Sequence, residues 1–152
     1  MSTRTRAAVL ATAAINALSR RLGLGSGTVA GGRVGLAIAP DLLAVLGAGR
    51  TTAVVSGTNG KTTTTRLLAA ALEEAGKSVV TNATGSNMPA GHVAALAGAP
   101  AGAPAVLEVD EAYVPVVVRS LDPDVIVLLN LSRDQLDRSN EVRMVATHWR
   151  EV

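Results

Sequence analysis

The 152-residue chain has no cysteine and no phenylalanine, and only one tyrosine (Tyr113) and one tryptophan (Trp149). Without cysteine there are no disulfides and no thiolate metal sites within these residues, a composition that fits a cytoplasmic protein. Without aromatics interleaved among the arginines there is no stacking surface for nucleic acid, so no nucleic-acid partner is expected. No apolar run reaches the roughly 20 residues that a membrane-spanning helix requires. What the chain does have is aliphatic. Hydrophobic residues make up 48%, supplied almost wholly by Ala, Val and Leu, enough for one domain, or one domain plus an appendage, around a core of small side chains. The net charge of +2 is unevenly spread: residues 1–50 carry six arginines against one acid, Asp41, for +5, whereas residues 51–152 carry eight basic and eleven acidic groups, for −3. The basic part is the front end.

The chain is organised around the stretch Val54 to Thr65, where a short apolar run breaks into Gly57-Thr58-Asn59-Gly60-Lys61-Thr62-Thr63. A strand leading into a glycine-rich turn and then a helix points backbone N–H groups and the positive helix end at one spot, which suits a phosphate. Lys61 is placed to reach the β- and γ-phosphates, and the hydroxyl of Thr62 to sit on Mg²⁺. The general phosphate-loop pattern G-x-x-x-x-G-K-[ST] asks for glycine at position 55, where this chain has Val55. The shorter G-x-x-G-K-T also arises by chance, as a plain glycine turn capping a helix.

Before the loop, Arg4 and Arg6 precede an Ala-rich apolar run from Ala7 to Leu18 that closes at Arg20-Arg21. An export signal and a transmembrane span are both weighed against by the few leucines and the short run. The favoured reading is a helix packed on the following domain, with rest on an anionic membrane surface as the alternative. The glycine-dense residues from Leu22 to Gly32 are expected to form a loop, Val34 to Ile38 a short strand, and Asp41 to Gly47 a short helix.

From residue 51 the pattern is α/β. Strands are expected at Thr52–Ser56, Lys77–Thr81, Ala105–Val109 and Asp124–Leu129, with helices at Thr62–Ala75, from about His92 to Leu96, at Tyr113–Leu121 and from about Asn140 onward. Strand-helix-strand at this spacing implies a parallel sheet, whose ligands sit at the carboxyl ends of the strands. There stand the polar stretches Asn82 to Gly91, Glu108-Asp110-Glu111 and Asn130 to Arg138. A magnesium shared with nucleotide phosphates takes one or two protein carboxylates. Glu108, inside an apolar strand, is the preferred ligand. Asp110 and Glu111 fit either that role or solvation of the start of the next helix. His92 has no metal-ligand partner nearby in sequence and is expected at the surface or beside a cap.

With these residues in view, the sequence resembles the Mur ligase superfamily, whose central ATPase domain carries G-T-N-G-K-[ST]-T with no glycine at the position of Val55. Within it the details resemble the Mur-ligase-like subunit of lipid II isoglutaminyl synthase. The resemblance is carried by R-L-x-G-x-G-S-G-T at Arg21 to Thr28, Gly57–Thr65, N-x-x-G-x-N-M-x-x-G at Asn82 to Gly91, L-E-V-D-E-A at Leu107 to Ala112, and N-L-x-R-D-Q-L-D-R at Asn130 to Arg138. Peptide-adding Mur ligases usually have histidine where Gln135 stands, and folylpolyglutamate synthetases usually follow the loop lysine with Gly-Ser rather than Thr62-Thr63. The chain departs from the branch at Ser132, Ser139 and Asn140, where Phe, Tyr and Gly are usual.

The resemblance implies a P-loop domain on a parallel sheet, incomplete and preceded by a short helical segment, with residues 1–50 as the N-terminal part and 51–152 as the start of the ATP-binding domain. It also implies ATP and Mg²⁺ as cofactors, with zinc confined to a downstream region absent here, so that the chain looks like an N-terminal fragment, inactive alone. The reaction implied is ATP-driven amidation of the D-glutamate α-carboxylate of lipid II, through an acyl phosphate, in peptidoglycan synthesis. The partners implied are lipid II and a glutaminase subunit, with a cytoplasmic location or one at the inner face of the membrane. Lys61 and Glu108 would be catalytic; Gly57, Thr58, Asn59, Gly60, Lys61, Thr62, Thr63, Asn82 and Asn130 would bind nucleotide; Thr62 and Glu108 would hold magnesium. A peptide-adding Mur ligase and a non-catalytic nucleotide-binding remnant remain the alternatives.

Overall fold

The computed structural model describes residues 1–22, 28–82, 86–132 and 139–150. Four parallel strands, β1 (Thr52–Ser56), β2 (Val80–Thr81), β3 (Ala105–Val109) and β4 (Val125–Leu128), form one sheet in the order β2-β3-β1-β4. Helix α4 (Lys61–Glu74) links β1 to β2, α5 (Pro89–Ala97) links β2 to β3, and α6 (Val114–Leu121), preceded by a 3-10 turn at Glu111–Tyr113, links β3 to β4. Right-handed crossovers put α4 on one face and α5 and α6 on the other, because the chain moves across the sheet in opposite directions. The core follows the strand period of two: Val54, Ala105, Leu107 and Val109 join Val93 and Leu96 of α5 and Val114, Val117 and Leu121 of α6.

The front end adds to that same core. Helix α1 (Thr3–Arg21) starts at an N-cap, where the Ser2 hydroxyl accepts from Thr5 N–H at 3.1 Å, and ends on Arg20 and Arg21, favourably placed against the helix dipole. It packs on α2 (Thr28–Ile38) and α5, as the packed-helix reading expected, and Ala8, Ala39, Leu42 and Leu43 enter the central cluster. Helix α3 (Leu42–Gly47) stands where the sequence placed a short helix. No helix among the described residues is long and apolar enough to cross a membrane.

The front end also holds the main correction. Neither the loop expected through Gly31-Gly32 nor the strand expected at Val34–Ile38 forms; both belong to α2. Glycine disfavours a helix by about 1 kcal/mol relative to alanine, but here the glycines are the contact face. A methyl group on Gly31 would stand 2.2 Å from Asn16 Oδ1, one on Gly32 1.7 Å from the carbonyl oxygen of Ala90, and one on Gly35 2.3 Å from Thr12 Oγ1. The helix fits between α1 and α5 only without those side chains. Residues 23–27 of the expected loop lie outside the described residues.

Elsewhere the differences are in length. Only Val80–Thr81 of the expected Lys77–Thr81 strand pairs, because Val80 stands opposite Ala105 and any earlier partner would fall at or before Pro104, which has no N–H to give. Helix α5 starts earlier than expected, at Pro89, whose fixed φ suits a first helical position. Strand β4 forms the second edge of the sheet, with Val125, Ile126 and Leu128 exposed.

Candidate functional site

At the carboxyl ends of β1 and β3 the chain builds a cradle of about 300 Å³ lined by Thr58, Asn59, Gly60, Lys61, Thr62 and Thr63. Gly57 and Gly60 turn the backbone with φ of 145° and 88°, values that side chains rarely tolerate. A methyl group on Gly57 would also meet Leu129 Cβ at 2.9 Å. The first bond within α4 runs from Thr64 N–H to Gly60 O at 2.9 Å, so the helix itself makes no use of the N–H groups of Lys61, Thr62 and Thr63. Donors of that kind at a helix N-terminus suit an anion.

The loop is held in shape from β4. Thr58 N–H donates to the backbone carbonyl of Asn130 at 2.8 Å; the side chain of Asn130 accepts from Asn59 N–H at 3.0 Å and donates to Asn59 O at 2.9 Å. Ser132 N–H donates to Thr58 Oγ1 at 3.0 Å, and Asn59 Nδ2 to Ser132 Oγ at 3.3 Å. Asn130 therefore reaches the cradle as a clamp on the loop backbone. Lys61 Nζ turns back over the loop, donating to Gly57 O and, at 3.2 Å, to Thr58 O, and pairs with Glu111 Oε2 at 3.4 Å. Both partners of that pair are largely covered, with side chains 12% exposed.

Alternation along β3 sends Leu107 and Val109 into the core beneath α5 and α6 and turns Glu108 to the opposite face, toward the first turn of α4. There Thr62 Oγ1 donates to Glu108 Oε2 at 2.7 Å. The two residues expected to hold magnesium thus meet at the cradle's edge. A hydroxyl and a carboxylate are hard oxygen donors, and a magnesium shared with phosphates needs few protein ligands, so the pair fits that ion.

The other acids divide. Asp110 caps the 3-10 turn, its Oδ1 accepting from Ala112 N–H at 3.0 Å, while Glu111 faces Lys61. Asn82 does not line the cradle. Buried at 6% exposure, its Nδ2 donates to Ser86 O at 2.7 Å and Glu108 O at 2.8 Å, and its Oδ1 accepts from Glu108 N–H at 2.8 Å. Asp134 and Gln135 lie outside the described residues.

Two residues near the site were not anticipated. His92, expected at the surface or beside a cap, is fully buried on α5, with Nε2 bonded to Glu108 O at 2.9 Å. A carbonyl can only accept, so Nε2 carries the proton. Burial pushes the His92 pKa down to about 4, against a smaller upward pull from the Glu108 carbonyl. His92, Val93 and Leu96 share one helix face, a pattern that could have signalled burial. Trp149 of α7 (Ser139–Trp149) packs on the core and donates from Nε1 to Glu111 O at 3.1 Å, a contact with no local sequence signal.

Comparison with known proteins follows the same lines. Residues 55–150 match the Mur ligase middle domain. The chain is 37% identical over 123 residues to "Lipid II isoglutaminyl synthase (glutamine-hydrolyzing) subunit MurT" of Streptococcus pneumoniae (strain ATCC BAA-255 / R6), covering 78% of this chain and 28% of that protein. It is 36% identical over 100 residues to the protein of the same name from Staphylococcus aureus (strain COL), covering 64% of this chain and 23% of that one. A "UDP-N-acetylmuramate--L-alanine ligase" of Mycolicibacterium vanbaalenii is 38% identical over 98 residues, 64% of this chain and 20% of the relative. The chain thus spans only about a quarter of the length of the first two relatives. Its strand-loop-helix cradle and the match over residues 55–150 agree: the chain belongs to the Mur ligase family.

Proposed function

We propose that this chain supplies the nucleotide-binding part of an ATP-dependent amide ligase that amidates the D-glutamate α-carboxylate of lipid II with ammonia from a glutaminase partner. The observation that carries the reading is the meeting of Thr62 and Glu108 at 2.7 Å beside Lys61, at the head of a helix whose first-turn donors are left to an anion. Likeness to the two isoglutaminyl synthase subunits supports the choice of acceptor.

In this reaction a carboxylate oxygen attacks the γ-phosphorus and ADP leaves; ammonia then attacks the acyl carbon, and phosphate leaves as the C–N bond forms. The chain's part is binding and charge neutralisation. The N–H groups of the α4 first turn take phosphate oxygens, and Lys61 exchanges the Gly57 and Thr58 carbonyls for phosphate. Thr62 and Glu108 hold magnesium, which when bound neutralises phosphate charge. Asn130 keeps the loop backbone in its receiving shape, and Asn82 contributes by holding Glu108 rather than by touching nucleotide.

Calorimetry with Mg-ATP on the wild type and on Lys61→Ala tests the site. Binding by the wild type, lost or weakened by about tenfold or more in the variant, supports it; no binding by either sinks it. The acceptor is tested on the complete ligase carrying this segment, with lipid II, glutamine and the glutaminase. Addition of an amino acid to a UDP-linked muramoyl acceptor instead would favour the peptide-adding reading, to which the similarity to the L-alanine ligase also points.

A further inference from the structure

We propose that His92 is a positioning residue for Glu108, fixing through its Nε2–H the backbone carbonyl of the residue whose carboxylate meets Thr62. The inference rests on reading Thr62 and Glu108 as a magnesium-nucleotide site.

On one side β3 pairs with β1 as far as Ser56 and Val109, but on the other the ladder with β2 stops at Thr81 and Val106. Glu108 lies beyond that stop, so among the described residues no strand serves its N–H and carbonyl on the β2 side. The carboxamide of Asn82 takes the strand's place, accepting from the N–H and donating to the carbonyl, both at 2.8 Å. His92 adds a second donor to the same carbonyl at 2.9 Å. Both lone pairs of the oxygen are then used, by groups from two different elements, and the Glu108 peptide is fixed against rotation at the end of its strand.

That matters because a carboxylate at a metal site is useful only in one place. Residues that hold metal ligands by hydrogen bonds govern metal affinity without touching the metal. For packing alone, histidine is a poor occupant here: among the described residues the buried Nδ1 has no hydrogen-bond partner, and a leucine would fill similar space without stranding a nitrogen. The ring's single polar contact among the described residues is the one to Glu108.

The test compares ATP affinity with Mg²⁺ and with EDTA, by calorimetry on the 152-residue chain, for wild type, His92→Leu, His92→Asn and His92→Gln, each checked for folding by circular dichroism. Glutamine can carry its amide nitrogen to where Nε2 stands; leucine cannot donate, and asparagine is too short to reach. His92→Leu and His92→Asn should lose about tenfold or more of the affinity gained from Mg²⁺. Their metal-free ATP affinity should stay at the wild-type level, and His92→Gln should keep the gain. If His92→Leu unfolds, His92→Asn carries the comparison. A folded Leu or Asn variant with the wild-type gain overturns the proposal, as does a parallel loss with and without metal, which marks a scaffold residue. Wild type that gains nothing from Mg²⁺ overturns the nucleotide reading and this inference together, whereas a normal gain in wild type and variants alike overturns this inference alone.

Discussion

Asn82 grips both backbone groups of Glu108, accepting from its N–H and donating to its carbonyl, each at 2.8 Å. Removing that amide should therefore injure the fold and the site at once. Asn82→Ala leaves the buried groups of Glu108 and Ser86 short of partners, and about 2–3 kcal/mol of stability should go. Urea denaturation should show a lower midpoint with an unchanged slope. Asn82→Asp can still accept from Glu108 N–H but cannot donate, and it buries a charge at pH 7, so it should not rescue.

The glycines of α2 should behave against helix propensity. Gly32→Ala gains about 1 kcal/mol in intrinsic preference, yet its methyl group would lie 1.7 Å from a backbone oxygen of α5. The helices must part, with a net loss of at least about 2 kcal/mol. Gly98→Ala is the control: beyond its chain neighbours, its methyl group would come no nearer than 3.9 Å, to Ala95 O, at a residue with φ of −91°. That variant should stay within about 0.5 kcal/mol of wild type in thermal melts.

Acid should weaken the fold through His92. Its folded pKa is near 4 against an ordinary 6.5, so between those values the unfolded chain takes up the proton that the folded one refuses. The His92 contribution is therefore whole above pH 6.5, falls as pH drops toward 4, and is spent below that, a loss of up to about 3 kcal/mol. Carboxylates titrate in the same range, so the measurement is a difference. Stability of wild type minus that of His92→Gln should decline from pH 7 to pH 4 and then level off. A flat difference would contradict the assignment of a buried neutral ring.

Trp149 should report on the cradle. It is the sole tryptophan, bonded to the carbonyl of Glu111, whose carboxylate faces Lys61. If Lys61 turns to phosphate as proposed, Glu111 loses its partner, and Trp149 emission should change in intensity or wavelength on addition of Mg-ATP. Lys61→Ala should abolish the change, and Trp149→Phe should leave no tryptophan signal at all.

The loop Gly57–Thr62 and strands β1 and β3 were legible because their determinants are local. An apolar run that meets Gly-x-x-Gly-Lys-Thr needs no distant partner to be recognised, and Glu108 stood out as an acid inside an apolar strand. Helix α2 was illegible for the opposite reason. Read alone, Gly31-Gly32 predict a loop and the stretch around Gly35 a short strand; only the presence of Asn16, Thr12 and Ala90 turns their missing side chains into a packing surface.

By itself the sequence determined the α/β class, the parallel sheet implied by strand-helix-strand spacing, and the glycine-rich loop between β1 and α4, because each depends on periodicity or on neighbours within a few residues. The tertiary structure decided which polar groups reach the cradle and which merely support it. Asn82 and His92 converge on Glu108 from just past β2 and from α5, and Asn130 on the loop from just past β4. Those contacts join residues 16 to 71 positions apart, and such distances are fixed by the sheet's crossovers, which local patterns do not encode.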